Sequence, residues 1–212
     1  QIAAIILTRP DVIKGMGKKP SEKTEKTEKT EKNENAERIS ELARNVIQVN
    51  RNQLLINLRF LDAALSRPKW VQNELFPLAT NGRYIFYEPV SLLKEFRKER
   101  SVCVRKYLHV LMHCIFRHMF VRPTFNRDWW NVACDIAVEY SITCLGLDAT
   151  ETSNDSRQKL VFMSLRQKLG KLTAEKIYHY YEATPPSDDT LDELAYLFGA
   201  DDHTTWYIRG KG

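Results

Sequence analysis

"YLHVLMHCIFRH", residues 107–118, decides how the chain is read. His109 and His113 stand four residues apart in an otherwise apolar run, so on an α-helix both rings leave the same face one turn apart. Two imidazoles placed in this way can grip one zinc ion, as in the H-E-x-x-H helix of zinc proteases. The second position of that pattern is Val110 here. From these residues alone two readings stay open: a metal site without its base, or a buried helix that carries histidines. His118 lies five residues beyond His113 and, on a continued helix, faces away from the pair, as a terminal histidine near the last carbonyls.

The surrounding segment, from about Ser101 to Phe120, is apolar nearly all round through Leu108, Val110, Leu111, Met112, Ile115, Phe116 and Met119. That is the pattern of a buried central helix. A second helix is predicted from about Trp129 to Cys144, and its "WWNVACDIAVEYSI" sets Asp135 and Glu139 four apart among apolar residues. Buried carboxylates are costly unless paired or bound to a cation. Asp135 is therefore a candidate third ligand, with water in a fourth position; the competing reading makes it a partner of Arg117 or Arg122. Glu139 reads as a salt-bridged or solvated residue and, more remotely, as a substitute base.

Further out, "LFPLATNGRYIFYEP" (75–89) predicts a hairpin of residues 75–80 and 83–88. Asn81-Gly82 would close it in a type I′ turn, which needs positive φ at both positions. A short helix follows from about Ser91 to Glu99. Upstream, apolar residues from Ile39 to Leu65 recur at three- and four-residue steps until Pro68 stops the helix. Downstream, "TAEKIYHYYEA" and "SDDTLDELAYLF" give two more amphipathic helices. The fold class is α+β, mostly α, with one small sheet. Residues 1–35 stand apart: the Glu-Lys-Thr repeat within them holds no large apolar residue, so a flexible charged segment is expected, a solvated helix with Glu/Lys pairs being the alternative. Residues 36–212 form the one folded domain.

Composition narrows the classes. The net charge is +5 over 212 residues, without a dense Lys/Arg stripe interleaved with aromatics, so nucleic acid is not indicated. The opening "QIAAIILTRP" is too short to span a membrane and lacks a basic leader. Cys103, Cys114, Cys134 and Cys144 show no C-x-x-C pairing and read as free thiols of a cytoplasmic protein.

In order, "LATNGRYIFYEP", "LHVLMHCIFRH", "WWNVACDIAVEY", "AEKIYHYY" and "DDHTTW" resemble the zincin-like metallopeptidase domain at the N-terminus of bacterial von Willebrand factor A-containing proteins. The resemblance covers roughly residues 40–207. It implies that His109, His113 and Asp135 hold one Zn²⁺, and that the late motif Asp201, Asp202 and His203 comes near the site. It also implies that the strand with Tyr84 and Phe86 is a sheet edge able to hold an extended peptide by backbone pairing. Val110 is the departure: valine accepts no proton, and loss of a positioned base removes about 10²–10⁴-fold of rate. The expected function is a degenerate zinc metallopeptidase-like domain, a pseudoenzyme serving as a protein-interaction module. Its partner would be a protein or peptide, in a system pairing AAA+ ATPases with von Willebrand domains. The alternative is an active zinc-dependent peptidase using a non-classical base, with Glu139 the candidate.

Overall fold

The computed structural model describes residues 22–120 and 124–208, and the expectations for Gln1–Ser21 lie outside them. The chain divides into two units, Gln1–Arg38 and Ile39–Gly212. Helix α1 runs Glu22–Asn57, so within the first unit the Glu-Lys-Thr repeat from Glu22 onward is helical, the form its Glu/Lys spacing supports. In the second unit a 3₁₀ turn and α2 (Asp62–Ser66) end before Pro68.

The sheet differs from the expected hairpin by one strand. Strand β2 (Leu78–Thr80) pairs antiparallel with β3 (Tyr84–Tyr87), and β1 (Lys69–Gln72) pairs parallel with β3 on its other side. The order is β1-β3-β2, which makes β3 the central strand. The expectation that Tyr84 and Phe86 sit on a free edge is therefore corrected: the β3 backbone is committed on both sides and has no groups left for a peptide. The turn also closes differently from a type I′ turn. Asn81 Oδ1 accepts from the Arg83 and Tyr84 amides, and only Gly82 takes positive φ, at 83°. An Asx turn thus does the work of the second positive-φ residue.

Helix α3 (Pro89–Lys98) starts with proline at its first position under the Glu88 carboxylate, which accepts from the Val90 and Ser91 amides. Helix α4 (Arg100–Phe116) follows and stops four residues earlier than expected, because Arg117 turns into the left-handed region at φ 62°. Among the described residues it is the one non-glycine with positive φ. Helix α5 (Arg127–Leu145) is capped by Asn126 and ends at Gly146. A 3₁₀ turn (Asp148–Thr150), α6 (Asp155–Leu169), α7 (Ala174–Ala183), α8 (Asp188–Phe198) and the short α9 (Thr204–Tyr207) complete the second unit.

Two apolar clusters organise these elements. The first joins Leu54, Ile85, Leu108, Val110 and Leu111 with Val138 and Ile142 of α5. The second joins Ile136 and Ala137 of α5 with Phe162, Ile177, Tyr178 and Phe198. Helix α5 contributes to both, so it buries apolar side chains on two sides, and between them Asp135 and Glu139 are its buried polar residues. Each fully buried leucine or isoleucine contributes about 1.5–3 kcal/mol.

Candidate metal centre

The polar strips of α4 and α5 match. On α4, Arg105, His109 and His113 are spaced by four; on α5, so are Asp135, Glu139 and Thr143. The helices face each other in opposite senses, so the strips pair rung by rung. Arg105 meets Thr143 and Glu139, His109 meets Glu139 and Asp135, and His113 meets Asp135. All three α4 residues and both acids are buried, with His109 and His113 at 0% exposure.

At one end of this ladder donor atoms converge. His109 Nε2 and His113 Nε2 lie 2.8 Å apart. Asp135 Oδ1 is 3.3 Å from the first and 3.2 Å from the second. Asp201 Oδ1 lies 3.4 Å and 3.7 Å from the same nitrogens. All four donors fall within 4.8 Å of one another. A tetrahedral ion with ligands at 2.0–2.1 Å has donor–donor edges of about 3.3 Å, the scale of these separations. Both oxygens of Asp201 are buried without a hydrogen bond, which is costly for a carboxylate unless a cation meets it. Glu139 faces Arg105, whereas among the described residues Asp135 and Asp201 face only imidazoles. The residues fit a metal.

The titration behaviour has the same origin. Burial opposes a proton on His109, yet Asp135, Asp201 and Glu139 outweigh it and raise its pKa well above the ordinary value. Burial, reinforced by His109 and His203, lowers that of His113 against the pull of Asp201 and Asp135. Burial would raise Asp135 and Asp201, but His203 and the other two imidazoles hold both below the usual carboxylate range. His203 Nε2 approaches Asp135 Oδ1 at 3.2 Å and Asp201 Oδ1 at 3.3 Å, at ion-pair distance without the alignment of a hydrogen bond. Those carboxylates overcome its burial and raise its pKa to about 10.

Asp201 and His203 arrive on the segment that leaves α8 at Gly199, where a side chain would meet the Ala195 carbonyl at 2.6 Å. The Asp202 amide donates to the Leu78 carbonyl (2.8 Å), and Asp202 bridges Ala79 at the outer side of β2. The Asp202 side chain turns away from the donors to accept from the Thr204 amide at the start of α9.

A family model described as a putative metallopeptidase domain matches residues 59–194. The chain belongs to that family. No curated protein and no solved structure matches it. The family match takes in His109, His113, Asp135 and Glu139 and stops short of Asp201 and His203.

In the H-E-x-x-H pattern the base would stand at position 110, which is valine here. Val110 is at 0% exposure and belongs to the first apolar cluster with Val138 and Ile142. Both carboxylate oxygens of Glu139, the candidate substitute base, already have partners. His109 Nδ1 binds its Oε1 at 2.6 Å and Arg105 Nε its Oε2 at 2.5 Å, so it lies behind the His109 ring, on the side away from the converging donors. Burial would raise its pKa, but His109 and Arg105 lower it. A carboxylate behind an imidazole in this way is the arrangement found in carboxylate–histidine–metal triads.

His118 is also placed differently from expectation. Because α4 ends at Arg117, the chain folds back and His118 Nδ1 meets His113 Nδ1 at 3.0 Å. Burial lowers its pKa to about 2, so the ring is neutral and free to accept the His113 proton. Arg117 stays over the Phe120 ring and is not the partner of Asp135. Arg122 lies outside the described residues. Sequence reasoning missed Arg105, although its four-residue step to His109 was there to see. A cavity of about 460 Å³ opens onto Asp135, Asp201 and His203 and is bordered by Arg127, Asn131 and Tyr207. No helix among the described residues is long and apolar enough to cross a membrane.

Proposed function

We propose that this family member carries a closed metal centre and acts as a pseudoenzyme, a protein-interaction module and not a hydrolase. His109 and His113, through Nε2, and Asp135 and Asp201, through Oδ1, would hold one ion of the zinc class, which favours four nitrogen and oxygen donors. The observation that carries this reading is the fourth donor: with Asp201 buried among the other three, a four-coordinate ion has no position left for water. Closed sites of this kind are structural, whereas catalytic ones keep a position open. The bound ion would supply charge neutralisation and a cross-link between α4, α5 and the segment after α8, so that its binding free energy becomes folding free energy.

Val110 supports the same reading from the proton-transfer side, since valine accepts no proton. The Arg127, Asn131 and Tyr207 cavity supports the alternative, a hydrolase reached from the carboxylate side, in which Asp201 yields its place to water. The partner is proposed, from the resemblance, to be a cytoplasmic protein of a system joining an AAA+ ATPase to von Willebrand domains. Elemental mass spectrometry of the protein purified without added metal, beside His109→Ala/His113→Ala, tests the centre. Near one zinc per chain, lost in the double variant, with no chelator-sensitive peptide cleavage, is the expected result. Cleavage abolished by chelation would replace this reading by the hydrolase.

A further inference from the structure

Arg105 is 6% exposed and uses its whole guanidinium. Nε donates to Glu139 Oε2, Nη1 to the Thr150 carbonyl (2.7 Å) and Asp155 Oδ1 (3.3 Å), and Nη2 to Thr143 Oγ1 (3.2 Å) and Gln158 Oε1 (3.0 Å). Its five N–H groups therefore face five acceptors drawn from α5, the following 3₁₀ turn and α6. A guanidinium so held is a rigid planar fork and not a flexible charge. Two connections lead from it to the metal donors. One runs through Glu139 to His109 Nδ1. The other runs through Gln158, whose Nε2 donates to the Leu197 carbonyl (3.1 Å), to the end of α8, two residues before Gly199 and the segment that brings Asp201.

We infer that Arg105 is a positioning residue of the metal centre: by fixing Glu139 it holds His109 with Nδ1–H on the carboxylate and the Nε2 lone pair toward the other three donors. This rests on the closed-metal-centre reading. The geometry leaves little alternative for the ring. Glu139 Oε2 is occupied by Arg105, so Oε1 is the oxygen offered to His109, and an ionised carboxylate can only accept. The proton must then sit on Nδ1, which is the tautomer that leaves Nε2 free. Without Arg105, Glu139 would be a buried charge free to rotate or to take up a proton, and the ring would lose both its orientation and its tautomer. A residue three bonds of the network away from the ion thus sets the donor that the ion meets.

The test measures zinc affinity by chelator competition in the full chain, for wild type, Arg105→Lys and the charge-neutral pair Arg105→Met/Glu139→Gln. It also assigns the histidine ring nitrogens of the zinc-loaded wild type by long-range ¹H–¹⁵N spectra. Expected are a His109 proton on Nδ1, a loss of about tenfold in affinity for Arg105→Lys, and a loss of about 10–100-fold for the pair. A purely structural clamp would lower the melting temperature and leave zinc affinity within about twofold, which would overturn the inference. So would a zinc-loaded wild type with the His109 proton on Nε2, a result that needs no variant to fold. Absence of zinc binding by the wild type would instead overturn the metal-centre reading itself.

Discussion

Two neighbouring stripes of α4 are equally buried and opposite in kind. Arg105, His109 and His113 form one, facing the acids of α5; Val104, Leu108 and Leu111 form the other, and Val110, about 100° round the helix from His109, belongs to the same apolar cluster. The polar stripe is tolerable because every charge on it has a partner, and the apolar stripe is stable because it has no charge to satisfy. One residue of displacement along the helix, about 100° of rotation, separates the environments. The proteolytic pattern would put its base at position 110, and here that position is fully buried in the apolar cluster.

Forcing a charge across that boundary is the strongest way to break the comparison. Val110→Glu completes the H-E-x-x-H pattern in sequence, yet buries an unpaired carboxylate. The expected cost is about 3–5 kcal/mol, with no peptidase activity gained. Urea denaturation and a peptide assay with added zinc measure both. A stable, active variant would mean that position 110 can reach the donors and that the two stripes are not separate.

The two stripes also mark what the sequence made legible. The four-residue steps between His109 and His113 and between Asp135 and Glu139 were plain, as was the apolar character that buries both helices. The matching of the strips was not, because Arg105 and Thr143 read individually as ordinary polar residues, and only the antiparallel packing of α4 on α5 makes them rungs. Strand β1 escaped notice because four residues with an exposed pattern carry little periodicity, and its parallel pairing with β3 is non-local. That one omission turned a central strand into an expected edge. The place of Asp201 depends on Asp202 bridging β2, a tertiary fact with no periodic trace. The turn at Arg117, which returns His118 to the site, uses a residue that does not announce positive φ.

Within the polar stripe the two histidines differ in what stands behind them: His109 has a carboxylate held by a guanidinium, His113 a neutral imidazole. Glu139→Gln removes the charged support and leaves Arg105 facing one carboxylate fewer. A stability loss of about 3 kcal/mol is expected, with zinc affinity down about 10–100-fold. His118→Phe removes the neutral support while filling much of its volume. It leaves the His113 Nδ1–H unsatisfied, at about 1–3 kcal/mol, with less than about tenfold change in zinc affinity. Thermal melts and chelator competition rank the two. The reverse order would mean that the centre is anchored through His113.

A carboxylate outside both stripes sets the scale for what burial adds. Glu88, lightly buried, caps α3 through the Val90 and Ser91 amides; its slight burial opposes ionisation, but those bonds and Lys94 hold its pKa below the ordinary 4.5. A folded value below the unfolded one contributes stability that is present above pH 4.5 and lost as pH falls through the folded value. Glu88→Gln is therefore expected to cost about 1 kcal/mol or less at neutral pH, a difference that vanishes on acidification below that window. Melting curves of both proteins from neutral to acidic pH give the test. A loss as large as that of Glu139→Gln would mean that burial in the polar stripe adds nothing to the cost of removing a carboxylate here.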